Sequence, residues 1–591
     1  QRGRCILDAQ LEHADDDCCV LVVHNEAAHL RTDDMVALAL HTPQPTFLTR
    51  GRIACVSADR VHIRTEAPLP HILAHIRAWN GWSTSQPLTF RLDADELMTM
   101  MSVPRYNLAC LFYAQAPRRV QQLRERVVSL RAPTWVPLGE RTRLSLERHA
   151  HACDALQRAT VERALTAQDY ALVLGMPGTG KSTTIAVLVR ILLELGQSVL
   201  LCSHTHSAVD TIVAKLLDVP VVRIGPVHRI HPRVQACALD RQVAADASAE
   251  ELQAHVASAP LVAATCLGTS DAALAHRSFD VCIVDEASQI TLPTTLGPLR
   301  LCERFVLVGD SHQLPPLVRD PDALAHGLAT SLFERLSTAH PQAVTALCAQ
   351  YRMNEAIMSL SNGLVYDGQL QCGNDRVAHA TLDLRSAEAP APWLAEALAP
   401  AHPVVWVNTD AADAAERRQD GALDNEREAA CVSALVHALV QGGIELCDMG
   451  VLTPYRQQVA CLRAVCACEV LTLDQAQGRD WSVVLVSLVR SNEAGVVGEL
   501  LRDRRRINVM LSRAKTKLVL VGSLRTMSST ASSAPMRYVA SEVQANHTVV
   551  AWAPGEEPAQ VAVCHPAKRA RRATPVGLVR EVLEEHGHAV P

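Results

Sequence analysis

From residue 146 to residue 535, short apolar runs alternate with stretches whose apolar positions recur every three or four residues. YALVLG, SVLLCS, LVAAT, VCIVDEA and RFVLVGD are brief, rich in β-branched residues and uninterrupted by polar positions. That is the pattern of strands covered on both faces, as in a parallel sheet. PVVWVNT, MGVLTPY, VVLVSLV and KLVLVGS repeat the scheme after a break near residue 340. The pattern predicts two α/β lobes, 146–340 and 341–535, each a parallel sheet flanked by helices. The first 84 residues alternate instead with period two. RIACVSADRVHI does so on both sides of Ser57-Ala58-Asp59, which predicts a hairpin in a small β-barrel, with a fragment of a larger sheet as the alternative. RRVQQLRERVVSLRAP puts Val120, Leu123, Val127 and Leu130 on one helical face and stops at Pro133. Residues 85–145 therefore read as a helical stalk. Beyond 535 the periodicity fades, and 536–591 read as a solvated tail carrying the basic stretch PAKRARR, Pro566 to Arg572.

Composition narrows the function classes. With 48% hydrophobic and 20% charged residues the chain is globular, and no apolar run approaches the ~20 residues of a membrane span. The net charge of −6 excludes binding of nucleic acid through bulk basicity, so any such binding needs a local track of Arg and Lys. Nineteen cysteines are scattered, several inside apolar runs such as SVLLCS and VCIVDE, and no C-x-x-C occurs. Buried free thiols fit better than zinc, iron–sulfur or disulfide chemistry. The first residue is Gln1, which suggests a fragment or a processed chain.

The chemistry begins at GMPGTGKST, where Gly175, Gly180, Lys181 and Ser182 follow a predicted strand and precede an apolar helix. This is the context of a P-loop. The glycines let backbone N–H groups of the loop, which runs from Gly175 through Pro177, Gly178, Thr179 and Gly180 to Thr183, wrap phosphates, while Lys181 reaches the β and γ oxygens and Ser182 ligates Mg2+. VCIVDEAS adds Asp285, a second Mg2+ group at a strand end, and Glu286, placed to activate the attacking water. Two carboxylates at a strand end also cap helices, and the P-loop about a hundred residues earlier decides against that.

What the hydrolysis drives is written further along. GDSHQLPPL carries Gln313, QYRMN carries Gln350 and Arg352, DQAQGRD carries Gln477, Gly478 and Arg479, and RRINVMLSRAK carries Arg506, Asn508, Arg513 and Lys515. Arginines of the second lobe reach a γ-phosphate only if nucleotide lies between the lobes, and its cleavage then becomes movement.

In this order the motifs GMPGTGKST, SHTHSAVD, IVDEASQITLP, GDSHQLPPL, QYRMN, TPYRQQ, LDQAQGRD and RRINVMLSRAK resemble superfamily 1 helicases of the 5′-to-3′ branch. Within it, the chain looks most like the helicase part of the eukaryotic DNA replication ATP-dependent helicase/nuclease family, over residues 85–525. The resemblance implies two RecA-like lobes behind a barrel and stalk, and an ATP hydrolase that unwinds or translocates DNA in replication and repair. Gln157 is implied as the adenine reader. Lys181, Ser182, Asp285 and Glu286 are implied in hydrolysis, with Gly478 at the nucleotide. Gln313, Arg352 and Arg513 are implied in coupling it to lobe closure. Ser203, Thr205, His206, Thr265, Thr453, Tyr455, Gln477 and Arg479 are implied at the sugar–phosphate backbone of a single strand, where contacts give affinity without sequence readout. For SHTH the alternative is a plain strand-to-helix cap. Asp154, His204, Ala476 and Arg504 depart from the family pattern, and Ala476 puts coupling efficiency in doubt.

The family also couples its motor to a nuclease with a four-cysteine iron–sulfur cluster. Cys5, Cys18 and Cys19 are poorly spaced for one, so nuclease and cluster are expected only on a portion preceding Gln1, and ATP with Mg2+ here. Single-stranded or 5′-flap DNA is the implied partner, with a single-strand-binding protein as a candidate second and no membrane. PAKRARR suggests the nucleus, with the mitochondrion as the alternative. An RNA helicase of the nonsense-mediated-decay type and a nucleotide-switched binding scaffold are the competing readings.

Overall fold

The computed structural model describes residues 5–15, 18–23, 35–42, 46–57, 59–65, 68–80, 83, 88–94, 96–244, 247–385, 391–419 and 421–552. PAKRARR lies outside the described residues. Two compact units are present, 1–124 and 125–591.

In the first unit six antiparallel strands close a barrel: β1 (Cys5–Ala14), β2 (Cys18–Val22), β3 (Met35–Leu40), β4 (Thr46–Val56), β5 (Arg60–Thr65) and β6 (Thr89–Ala94), in the order β1-β2-β5-β4-β3-β6. Alternation puts Leu21, Val36, Leu38, Ile53, Val61, Ile63, Phe90 and Leu92 inside, each buried. The predicted hairpin is present, with Val56 opposite Val61 and a bulge between Ile53 and Cys55. At Gly51 a Cβ would stand 2.4 Å from Ile63 Cγ2 and 2.7 Å from the Arg64 carbonyl, so only glycine lets the strands approach there. The boundary at 84 is corrected. TFRLDA is not stalk but β6, which pairs with both β1 and β3 and closes the barrel.

Helix Arg118–Val127 buries Val120, Leu123 and Val127 on one face. It stops short of Pro133: Leu130, expected on that face, has φ +52°, incompatible with continuing the helix.

The second unit holds both α/β lobes. Strands β7 (Tyr170–Gly175), β8 (Val199–Ser203), β9 (Val221–Arg223), β10 (Leu261–Thr265), β11 (Phe279–Val284), β12 (Cys302–Gly309) and β13 (Val344–Leu347) form a parallel sheet ordered β13-β7-β12-β11-β8-β10-β9. Every residue of β8 and β10 is buried, as the uninterrupted apolar runs require. A two-residue pair, β14 (Ala349–Gln350) with β15 (Gln371–Cys372), leads to the second lobe. There β16 (Val404–Asn408), a small hairpin β17 (Arg417–Gln419) and β18 (Ala422–Asp424), then β19 (Met449–Thr453), β20 (Glu469–Thr472), β21 (Trp481–Ser487), β22 (Ala514–Gly522) and β23 (Thr548–Ala551) follow. The sheet order is β20-β19-β21-β22-β16-β23, again parallel. Helices Glu355–Ser361, Arg504–Leu511 and Ala534–Asn546 cover one face, and Pro392–Leu398, Glu426–Gln441 and Arg456–Val465 the other.

Two lobe boundaries move. Val344–Leu347, assigned by pattern to the second lobe, pairs with β7 in the first sheet. Residues 536–552 are not tail: the helix Ala534–Asn546 buries Met536, Val539, Ala540 and Val543, and β23 adds a strand beside β16. Among the described residues no helix is long and apolar enough to cross a membrane.

Candidate functional site: a nucleotide cavity between two lobes

β7 ends at Gly175 and the helix Lys181–Glu194 begins six residues later. Between them Gly178 and Gly180 have φ +74° and +77°, a backbone conformation that turns successive N–H groups inward. A Cβ on Gly178 would stand 2.6 Å from Arg352 Cβ, and one on Gly180 2.6 Å from Gln157 Nε2, so the loop is hemmed in from both sides. Lys181 Nζ donates to the Gly175 carbonyl at 2.8 Å.

β11 delivers Asp285 beside this loop. Its carboxylate is buried, and Oδ1 has no hydrogen-bond partner. Burial, and next the adjacent Glu286, push its pKa up against the pull of Lys181. A bound cation would satisfy a buried carboxylate in that condition. Glu286 has φ +53°, a strained conformation for glutamate, and its Oε2 accepts from Gln289 Nε2 at 2.6 Å.

The facing wall comes from the second lobe. The chain crosses there by a backbone bond, Tyr351 N–H to the Gly178 carbonyl at 2.8 Å. Arg352 donates to Asp480 at 2.9 Å and to the Ser512 carbonyl at 3.1 Å. Arg513, only 2% exposed, donates from Nε to the Val509 carbonyl (2.9 Å), from Nη1 to the Arg479 carbonyl (3.1 Å) and from Nη2 to Ser512 Oγ (2.7 Å). Burial, then the nearby Arg352, lower its pKa to about 9. Lys515 pairs with Asp480 at 2.6 Å. Burial pushes the Asp480 carboxyl up, but Arg352 and Lys515 outweigh it and hold it low.

Together these walls bound a cavity of about 300 Å³ lined by Pro177, Gly178, Thr179, Gly180, Lys181, Ser182, Thr183, Asp285, Glu286, Gln313, Arg352, Gly478 and Arg513. The sequence reading had singled out all of these. Tyr351, Asp480, Lys515 and Lys215 line it too. Lys515 was visible in SRAKTKL. Tyr351 and Asp480 stand inside QYRMN and DQAQGRD beside residues that were chosen, whereas nothing local to Lys215 marks it. The donor set fits a Mg2+–triphosphate: lysine and arginine cations, inward N–H groups, a hydroxyl at Ser182 and an unsatisfied buried carboxylate oxygen.

Gln157, implied as the adenine reader, stands behind the loop. It does not line the cavity. It closes a capping box, accepting from the Asp154 N–H at 3.2 Å while Nε2 donates to the Thr179 carbonyl at 3.1 Å, so both ends of its amide are engaged behind the loop. Gly175 likewise lies beneath the cavity, against the Lys181 stem.

The residues assigned to a nucleic-acid strand divide. Ser203 and Thr265 are register partners at the carboxyl ends of β8 and β10, and Thr453 ends β19. All three are buried. Thr265 Oγ1 accepts from the Gly268 N–H at 3.0 Å and Thr453 Oγ1 from the Tyr455 N–H at 3.5 Å, so these hydroxyls shape turns, and Ser203 Oγ is enclosed without a partner. Thr205 is the N-cap of the helix His206–Val213, receiving the Ala208 N–H at 3.2 Å, and is exposed. His206 does not project freely: its Nδ1 lies 3.0 Å from Arg223 Nη2, in a buried cluster where Arg223 also pairs with Asp210 at 2.8 Å. Tyr455 Oη donates to the Val497 carbonyl at 3.3 Å. Gln477 faces Gln313 between the lobes, 3.4 Å away, and Arg479 is exposed and paired with Glu469. Of the departures from the family pattern, Ala476 is fully buried in the second-lobe core, and Arg504 donates to the Leu364 carbonyl at 2.6 Å.

Fold and site together define a two-lobed P-loop NTPase. Residues 152–258 and 247–320 match one AAA domain family, and 328–525 match another. The mouse DNA replication ATP-dependent helicase/nuclease DNA2 is 43% identical over 469 residues, covering 74% of this chain and 44% of its own length. The Arabidopsis thaliana helicase/nuclease JHS1 is 40% identical over 509 residues, 84% of this chain and 38% of its own, and human DNA2 is 40% identical over 465 residues. The chain is a homologue of the DNA replication ATP-dependent helicase/nucleases and spans less than half the length of each of these relatives.

Proposed function

We propose that this chain is an ATP-dependent 5′-to-3′ DNA helicase or translocase acting on single-stranded or 5′-flap DNA in replication and repair. The observation that carries the reading is the placement of Arg352 and Arg513 across one cavity from Lys181, Asp285 and Glu286. Lys181 and the inward N–H groups would hold the triphosphate, and Ser182 and Asp285 would hold Mg2+, which supplies charge neutralisation when bound. Glu286 would take the proton of the attacking water. Arg352 and Arg513 already donate to second-lobe acceptors. A γ-phosphate would draw these guanidinium groups forward and the second lobe with them. Cleavage removes that attraction, and the lobes part.

Support for DNA over RNA comes from the names of the relatives. A single-strand-binding protein as partner and a nuclear location belong to the same reading. The cutting named for those relatives is not assigned to these residues. The test is strand displacement on 5′-tailed and 3′-tailed duplexes, with ATP turnover measured against oligo-dT and oligo-U. Unwinding from 5′ tails with preference for oligo-dT supports the reading. A response to oligo-U equal or greater favours an RNA motor, and strand binding without turnover favours a scaffold.

A further inference from the structure

A second polar cluster crosses the lobe interface behind the cavity, and none of the roles above accounts for it. Asp310, at the end of β12 in the first lobe, is 1% exposed. Its Oδ1 accepts from the His312 N–H at 2.9 Å. Its Oδ2 accepts from Gln313 Nε2 and from Tyr366 Oη, each at 2.7 Å. Tyr366 belongs to the second lobe and is 2% exposed. Asn508, on the helix Arg504–Leu511, donates from Nδ2 to Tyr366 Oη at 2.8 Å and to the His312 carbonyl at 2.9 Å. Arg505, next to Asn508 on that helix, reaches back to Glu334 of the first lobe at 3.1 Å. The same segment continues into Arg513.

The chemistry fixes an orientation. Asp310 accepts from three donors in this structure, so the Gln313 amide turns its NH2 toward Asp310 and its oxygen toward Gln477. With Asp310 accepting, Tyr366 must donate, and its own oxygen is then free to receive Asn508. The donors converge on Asp310, from Asn508 through Tyr366 on the second-lobe side and from Gln313, the residue that faces the cavity, on the other. At its edges Asn508 Oδ1 and Gln477 Oε1 are buried without partners, a condition a second arrangement of the lobes would relieve.

We propose that Asp310 and Tyr366 are positioning residues for Gln313, with Asp310 setting which end of its amide faces the γ-phosphate and Tyr366 carrying that setting across the interface to Asn508 and the arginine-bearing helix. This rests on the motor reading. It adds that the two lobes are coupled through a hydrogen-bond relay as well as through the nucleotide.

The test is Tyr366→Phe, which removes one hydroxyl, in the full chain, with kcat and KM for ATP measured at saturating oligo-dT and thermal stability recorded. The relay predicts kcat reduced roughly tenfold or more with KM within about twofold. It further predicts that Tyr366→Phe costs nothing extra in a Gln313→Ala background, because the hydroxyl acts through that amide. Independent, multiplying losses in the double variant, or wild-type kcat in the single one, overturn the proposal. If Tyr366→Phe does not fold, Asp310→Asn serves in the same cycle, since an amide there no longer dictates how Gln313 lies. A wild-type chain without strand-stimulated turnover fails the motor reading itself, before either variant is compared.

Discussion

Tyr351 of the second lobe donates its hydroxyl to Asp154 of the first at 2.7 Å, at the cavity that both P-loop and arginines line. Asp154 also caps the helix Ala155–Thr166 by accepting the Gln157 N–H at 2.8 Å. The two roles separate by mutation. Asp154→Ala loses cap and cross-lobe bond and should cost about 1–2 kcal/mol, whereas Tyr351→Phe loses only the latter. Thermal denaturation should place Asp154→Ala clearly below Tyr351→Phe; equal midpoints would show that the cap contributes nothing.

Glu286→Gln keeps the shape of the site and removes its base. Turnover should fall by about 10²–10⁴-fold while ATP binding persists, as read by fluorescent-nucleotide titration beside a steady-state assay. A variant that hydrolyses ATP near the wild-type rate would assign the proton elsewhere.

Arg513→Ala should lower kcat by about 10³-fold or more with intact binding of ATP. Arg513→Lys should recover little, because three separate acceptors meet the guanidinium fork in this structure. Single-turnover hydrolysis separates the chemical step from product release.

Lys517 is fully enclosed in β22, donating to the carbonyls of Ala399 at 3.0 Å and His402 at 2.5 Å, and burial lowers its pKa to about 7. The folded state therefore binds fewer protons than the unfolded one between about pH 7 and the ordinary lysine value of 10.5. Stability must rise with pH across that window. Glu428, pushed up to about 8 by burial, acts oppositely: its contribution is present below its ordinary value of 4.5 and is lost as pH rises through 8. The difference in melting temperature between wild type and Lys517→Met isolates the lysine. It should favour the variant by several degrees at pH 7 and shrink towards pH 10. A difference that does not change with pH would mean that Lys517 stays charged.

Affinity for oligo-dT should fall with salt at a slope of ~−0.7 per phosphate neutralised, measured by fluorescence anisotropy. A flat profile would contradict a backbone-tracking surface.

Much of this arrangement was legible in residues whose requirements are local. Uninterrupted apolar runs such as VLLCS have few alternatives to a doubly covered strand, and the Gly178–Gly180 loop needs its φ values whatever surrounds it. The misread parts depend on partners distant in sequence. TFRLDA becomes the barrel's closing strand only because β1 and β3 lie on either side. Val344–Leu347 joins the first sheet because β7 has an open edge. Side chains assigned by motif position alone have partners that the motifs do not announce. Gln157, Thr265 and Thr453 hold backbone groups, and His206 is held by Arg223, a residue 17 positions away that no local pattern marks.

The closing strand of the second sheet sets a practical limit on how this protein can be handled. Trp552, just past β23, is fully enclosed and meets Trp393 edge-on at 6.5 Å, while Val550 of that strand sits in the same apolar layer. A recombinant version ending at Pro535, where strand and helix patterning fades from the sequence, would strip a covering helix and leave β16 as a raw rim with a vacated indole socket. Loss of the indole alone is worth about 3–5 kcal/mol, so such a truncation should come out of cells as aggregate, while one ending after Trp552 keeps the layer sealed.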